Sequence, residues 1–490
     1  MPSEPVGPHP QELVDDLELD RGVLIAGMWW PTADRFPVQD PATQKVIAEV
    51  AHGTATEAAA AVDAAAAALP AWSATSGRER AEVLRRAYEL MIADGERLAA
   101  LISWENGKSA SDGRAEAAYA AEFFRWYAEE APRSEGRYGP APAGGGARTI
   151  VTHRPVGVAA LVTPWNFPAA MATRKIGPAL AAGCTVILKP AALTPLTALA
   201  VARILERAGV PSGVVTVVPT RNAGGVVDRW LADPRVAKLS FTGSTSVGRG
   251  LIARAAERVV NVSMELGGNA PFVVTADADL DAAVAGAMIA KFRNGGQACT
   301  AANRFYVHAD VAAEFTARFG AAVEALTVGP ATSGADIGPM VSGSARNDVA
   351  RLVDEALATG ARVAHQAEDL GDWYYPPTVL TGVAPDAAIL REEIFGPVAP
   401  IVTWEDEAEL LRLVNEPELG LAAYVYAGRL QHALRLAESI EAGMVGVNRG
   451  MVSDPSAPFG GVKQSGLGRE GAREGIREYQ EAQYFSISFD

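Results

Sequence analysis

Short runs rich in Val and Ile alternate along this chain with longer alanine-rich segments, and that alternation constrains the fold more than any other feature. Short, largely apolar runs between longer helical ones are the rhythm of parallel strands covered by helices. Val158 to Val162, Thr185 to Leu188, Val214 to Val218 and Ala237 to Phe241 read as such strands, with helical stretches between most of them. The spacing predicts an α/β architecture with a doubly wound sheet. Thr54 to Leu69 reads as an alanine-rich helix, with Thr56-Glu57 near its start and Pro70 ending it. Tyr138 to Gly146 is too rich in Gly and Pro for either element and gives way to Thr149-Ile150-Val151-Thr152, whose alternation marks a protruding strand.

At 490 residues the chain has material for two or three domains. A formal charge of -15 and a pI near 5.0 argue against general affinity for nucleic-acid phosphates or anionic membranes, leaving small molecules as the expected partners. Two distant cysteines make neither a disulfide framework nor a metal-ligand cluster, and the six histidines are scattered, so no metal is expected. Met1-Pro2-Ser3-Glu4-Pro5 has no basic segment leading into an apolar one, and no apolar run approaches membrane-spanning length. A cytoplasmic protein is the expectation.

The two cysteines differ in setting. Cys184 opens the strand-forming run Cys184-Thr185-Val186-Ile187-Leu188 and reads as a buried, inert thiol. Cys299 sits in Asn294-Gly295-Gly296-Gln297-Ala298-Cys299-Thr300, a glycine-rich polar turn offering access and hydrogen-bond donors, where a nucleophile belongs. Upstream, the strand near Phe241 runs into Thr242-Gly243-Ser244-Thr245-Ser246-Val247-Gly248, before a helix expected over Leu251 to Arg258. Such a turn holds phosphate on backbone N–H groups. It is not a nucleotide-triphosphate loop, because Arg249-Gly250 stands where Lys and Ser/Thr are required, and no G-x-G-x-x-G fingerprint occurs. Glu265, in Met264-Glu265-Leu266-Gly267-Gly268, is an ordinary charge read alone, or a proton acceptor if it faces a dry cleft. Asn166, in Thr163-Pro164-Trp165-Asn166-Phe167-Pro168, is either a turn amide or an oxyanion donor.

In combination and order these segments resemble the aldehyde dehydrogenase superfamily from about Ile25 to Phe485, with Lys189-Pro190, Glu392-Glu393-Ile394-Phe395-Gly396-Pro397 and Pro458-Phe459-Gly460-Gly461 completing the set. The resemblance implies an enzyme in which Cys299 attacks an aldehyde, Asn166 holds the oxyanion and Glu265 activates the water that hydrolyses the thioester. It also implies a nicotinamide cofactor lying against Trp165, Lys189, Ala192, Gly243, Ser244, Leu266, Glu393 and Phe395. NADP is favoured over NAD, because Ala192 stands where NAD-preferring relatives often carry a Glu. The fold implied has a cofactor-binding domain over 1–132 and 152–266, a catalytic domain over 267–470, and an oligomerisation element over 133–151 and 471–490. Tyr484-Phe485-Ser486-Ile487-Ser488 alternates as an edge strand should, so a homodimer or homotetramer is expected.

Within the superfamily the chain is most similar to the succinate-semialdehyde dehydrogenases. Arg174 and Arg293 match positions that bind the substrate's far carboxylate there, and Ser453 matches a contacting hydroxyl. Asp454 adds a neighbouring negative charge that weakens anionic substrates if it faces the pocket. Ala301 replaces a second cysteine, so no disulfide switch is expected. The alternatives are a glutarate-semialdehyde dehydrogenase, or a broad-specificity enzyme for neutral or aromatic aldehydes whose arginines are structural.

Overall fold

The structure, a computed structural model, describes residues 10–133, 135–142 and 146–488. The opening Met1-Pro2-Ser3-Glu4-Pro5 and part of the Tyr138–Gly146 excursion lie outside them. Five parallel strands form the centre of an eight-stranded sheet, in the order Val215–Val217, Thr185–Lys189, Val158–Val162, Val236–Thr242 and Asn261–Glu265. Val158–Val162 and Thr185–Lys189 are buried at every residue, as expected of strands covered on both faces. The chain winds outward from Val158–Val162 to Val215–Val217, then returns to lay Val236–Thr242 on the other side of the first strand. That reversal opens a crevice beyond Val162 and Thr242, the place where open α/β sheets bind ligands.

A second sheet of seven strands, six of them mutually parallel, carries Ala270–Val274 and Ala302–His308 side by side near its middle. Beyond both sheets, Arg137–Pro140, Arg148–Pro155 and Gln480–Ile487 form an antiparallel ribbon with Gln480–Ile487 at its edge. Tyr138, Tyr484 and Phe485 are exposed on this ribbon.

Two helices depart from expectation. Ala55–Ser73 runs through Pro70 for one more turn, because Trp72 is buried in the core and holds that turn in place. Its start is the capping box formed by Thr54 and Glu57. Thr245–Ala256 begins six residues earlier than the expected Leu251, with Ser244 as its N-cap. The glycine-spaced segment is therefore the helix's own first turn. Among the described residues no helix is long and apolar enough to cross a membrane, and no group of three or more His, Cys, Asp or Glu side chains could hold a metal ion.

Candidate active site

The helix Leu280–Phe292 ends at Arg293, and the next three residues, Asn294, Gly295 and Gly296, take left-handed backbone angles. Gly296 is required there, since a Cβ would lie 2.2 Å from the Gly396 carbonyl oxygen. The turn is caged by its own amides. Asn294 Nδ2 donates to the carbonyls of Asn166 at 2.9 Å and Gln297 at 3.1 Å, while the Asn294 N–H donates to Asp112 Oδ2 at 2.8 Å. Gln297 Oε1 in turn accepts from the Val341 N–H at 3.0 Å. Cys299 leaves this cage just before the strand Ala302–His308, and its carbonyl is backed so closely by Gly268 that a Cβ there would sit 2.3 Å away.

The Cys299 side chain keeps partial exposure but packs against the apolar cluster of the second sheet. Burial, reinforced by the negative charges of Glu393 and Glu265, pushes the thiol up to about 12, against the opposing pull of Arg174 and Arg293. The turn is thus polar in sequence but enclosed in the fold, and the resting group is a neutral thiol. Cys184 is fully buried beneath the Tyr479 carbonyl, with its thiol pushed up to about 11 by burial.

Asn166 is buried, and its Nδ2 donates to the Gln297 carbonyl at 3.1 Å while Oδ1 has no partner. This bond ties Asn166 to the peptide stretch that carries Cys299. Lys108 supports it from behind, donating to the Asn166 carbonyl at 2.8 Å and pairing with buried Glu116. Glu265 ends the strand Asn261–Glu265 and is buried with neither carboxylate oxygen hydrogen-bonded. Burial first, and then the charge of Glu470, holds its proton affinity well above the ordinary carboxylate range. That makes its ionised form a stronger base than an ordinary carboxylate, able to take a proton from water.

Arg174 lies in Pro168–Ala182, a helix buried at every residue. Its Nη2 donates to the Tyr119 hydroxyl at 2.7 Å, its guanidinium stacks on Phe459 at 4.0 Å, and Nη1 stands 3.6 Å from Glu470 Oε2. Among the described residues Nε and Nη1 have no hydrogen-bond acceptor. Glu470 is shared with Lys175, which pairs with its other oxygen. Arg293 is half-buried over the Phe167 ring at 5.1 Å, and its Nη1 donates to Met451 Sδ at 3.1 Å. Ser453 is half-buried in the loop after the strand Met444–Val447. Asp454 Oδ1 is turned back onto Ser456, accepting from its N–H at 2.9 Å and its hydroxyl at 2.7 Å.

On the other side of the crevice, Lys189 ends its strand as a buried ammonium pushed down to about 8 by burial, with no ion-pair partner among the described residues. Trp165 meets Phe395 edge to face at 5.4 Å. Glu393 accepts from the Gly268 N–H at 3.3 Å, and burial raises its carboxyl to about 7. Gly243 donates its N–H to the Glu265 carbonyl at 3.0 Å, and the Leu266 N–H donates to the Ser465 carbonyl. Ser244 leaves the first amides of its helix without a side-chain cap, open to an anion. Ala192, half-buried, follows the Lys189 strand without a carboxylate. An uncapped helix start, an unpaired buried ammonium and a glycine at the crevice fit a dinucleotide.

Comparison with known proteins agrees with this geometry. The model of the aldehyde dehydrogenase family matches residues 29–485. The chain belongs to the aldehyde dehydrogenase family. It is 51% identical over 446 residues to a succinate-semialdehyde dehydrogenase of Paenarthrobacter nicotinovorans, covering 90% of this chain and 99% of that one. A glutarate-semialdehyde dehydrogenase of Pseudomonas aeruginosa is 47% identical, with 96% and 99% covered. A crystal structure of an NADP-dependent enzyme of Escherichia coli superposes with a TM-score of 0.95 at 45% identity, covering 97% and 99%.

For this aldehyde dehydrogenase, sequence reasoning missed the buried ionic group behind Glu265, namely Lys175 and Glu470, together with Tyr119 and Phe459 around Arg174. One signal was present. Arg174-Lys175 is an adjacent basic pair in an otherwise largely apolar helix, and adjacent helical residues face different directions, so both needed buried partners.

Proposed function

We propose that the protein oxidises succinate semialdehyde to succinate, with NADP favoured over NAD as acceptor. The observation that carries this reading is a pair of guanidiniums, both acting electrostatically on Cys299 and neither hydrogen-bonded to a carboxylate. Glu470 offsets the Arg174 charge at 3.6 Å, but Nε and Nη1 keep no hydrogen-bond acceptor among the described residues, and an unsatisfied buried donor costs about 1–3 kcal/mol, so those donors favour an anion from outside. The far carboxylate of the substrate supplies it, meeting Arg174, Arg293 and the Ser453 hydroxyl. Asp454 Oδ1 is turned onto Ser456 of its own loop, which supports a carboxylate directed away from that binding.

Cys299 Sγ bonds the aldehyde carbon as the thiol proton passes to water at its partly exposed side chain, and the carbonyl π pair moves to oxygen, giving an oxyanion received by Asn166 Nδ2 and the Cys299 N–H. Lys189, Gly243, Ser244 and Glu393 would hold the cofactor, with Trp165, Ala192, Leu266 and Phe395 around it. When bound, the nicotinamide supplies the hydride acceptor. The thioester left on Cys299 is hydrolysed by a water whose proton Glu265 takes, which its raised proton affinity allows. Lys189, with no ion-pair partner among the described residues, and the missing carboxylate at Ala192 both favour a 2′-phosphate.

Glutarate semialdehyde is the second reading, favoured by the Pseudomonas relative and by the small penalty, about 1–3 kcal/mol, that a pocket imposes on one methylene. A broad-specificity role gives no reason for the open donors on Arg174. The domain boundaries proposed are those given above, with the oligomerisation element of 133–151 and 471–490 joining cytoplasmic subunits as a homodimer or homotetramer through the ribbon that ends in Gln480–Ile487. Its support is the exposed aromatic edge at Tyr484 and Phe485.

Arg174→Gln and Arg293→Gln test the reading. Each is expected to lower kcat/KM for succinate semialdehyde by roughly 10²-fold while butanal changes by less than about threefold. Equal losses on both aldehydes overturn it, and a specificity constant for NAD well above that for NADP overturns the cofactor preference.

A further inference from the structure

The two guanidiniums are held very differently. Arg174 is clamped by the Tyr119 hydroxyl, the Phe459 ring and the nearby Glu470, on a helix with no exposed residue. Arg293 sits at the C-terminal end of its helix, half-buried, with its hydrogen bond going to a thioether and no ion pair among the described residues. Sulfur of this kind is a weak acceptor. It orients the guanidinium without neutralising it and yields to any carboxylate, whose charge-assisted bond is about twice as strong as a neutral one.

The register of this contact is built into the backbone. Gly450, the residue before Met451, lies on the helix that delivers Arg293, where a Cβ would come within 2.2 Å of the Gly286 carbonyl oxygen. Gly286 is itself fixed, because a Cβ there would overlap the Tyr426 hydroxyl at 1.7 Å. Two glycines thus dock the 450–454 loop onto the helix Leu280–Phe292, and the next side chain along the loop is the one that meets Arg293. Val452, one residue further, packs against the second sheet's core and pins the other side.

We propose that Met451 is a specificity-determining positioning residue: its thioether parks Arg293 in a carboxylate-ready position and releases it when the substrate binds. The selectivity of the site for anionic aldehydes then depends on residue 451 holding Arg293 firmly enough to orient it and weakly enough to release it. This rests on the role given to Arg293 above.

The test is a series at one position, Met451→Leu, Met451→Gln and Met451→Glu, with Arg293→Gln as control, assayed in the full-length enzyme on succinate semialdehyde and butanal. Glu supplies a permanent intramolecular carboxylate. It is expected to raise KM for succinate semialdehyde by roughly 10- to 100-fold, with kcat and the butanal specificity constant held within about twofold. Gln, a neutral but stronger acceptor than sulfur, is expected to move KM the same way by less, and it carries the test if the Glu variant does not fold. Leu keeps the packing but removes the acceptor, and is expected to raise KM by less than about tenfold without touching kcat. A Glu or Gln variant whose KM for succinate semialdehyde stays within about twofold of the parent, or whose loss is shared by butanal, overturns the proposal. Should Arg293→Gln leave the preference for the anionic aldehyde intact, the reading of Arg293 itself fails; should it abolish the preference while residue 451 has no effect, only the present inference fails.

Discussion

Replacing Gly268 by Ala is the perturbation whose effect the structure fixes most closely. The added Cβ would sit 2.3 Å from the Cys299 carbonyl oxygen, and its next contacts are the Leu421 side chain at 3.2 and 3.3 Å. A carbon meets a carbonyl oxygen no closer than about 3.3 Å without penalty, so the two backbones must part by roughly 1 Å. Neither can yield cheaply. Cys299 is fixed by the Asn294 and Gln297 cage, and the Gly268 N–H is bonded to Glu393. A displacement of about 1 Å in a reacting group is worth on the order of 10² in rate. The expected result for Gly268→Ala is a kcat lowered about 100-fold in steady-state cofactor reduction, with the unfolding midpoint lowered by a few degrees and the protein still folded. A variant that keeps kcat within about threefold of the parent refutes the claim that this backbone contact sets the nucleophile's position.

Because burial holds the Cys299 thiol up to about 12, its thiolate fraction in the free enzyme rises tenfold per pH unit below that value. The rate of Cys299 alkylation by iodoacetamide should therefore climb steadily between about pH 7 and pH 10, and a plateau near neutrality contradicts the enclosed-thiol picture. Lys189 is pushed down to about 8, so it is charged below that pH and neutral above it. KM for NADP should accordingly rise as pH passes about 8 while KM for NAD moves little; parallel behaviour of the two argues against a Lys189 contact with the 2′-phosphate. The Arg174→Gln and Arg293→Gln variants should separate anionic from neutral aldehydes as described above.

The strands were legible because they are short runs rich in Val and other apolar residues, the mark that burial on both faces leaves: Val158–Val162 has the expected bounds and Thr185–Lys189 is one residue longer. Helix ends were less legible. Pro70 signals a stop locally, but tertiary packing of Trp72 outweighs the missing N–H. Gly243 to Gly248 looked like a loop because glycine is a poor helix former, yet Gly248 lies inside the helix where its lack of a side chain admits Leu266. The residues around Cys299 were readable as a motif, whereas their electrostatics were not. The thiol's high proton affinity depends on how many groups enclose it, and Lys175 meets Glu470 across 295 residues of sequence.

The most direct test of the central claim is the specificity constant for succinate semialdehyde against that for butanal, with NADP as acceptor. Butanal has the same carbon count and lacks only the carboxylate. A site built around Arg174 and Arg293 should prefer the anionic aldehyde by on the order of 10³-fold or more, since unpaired buried donors are what penalise the wrong substrate. Comparable constants for the two aldehydes would mean that the guanidiniums serve the scaffold and that this enzyme oxidises aldehydes without reading their far end.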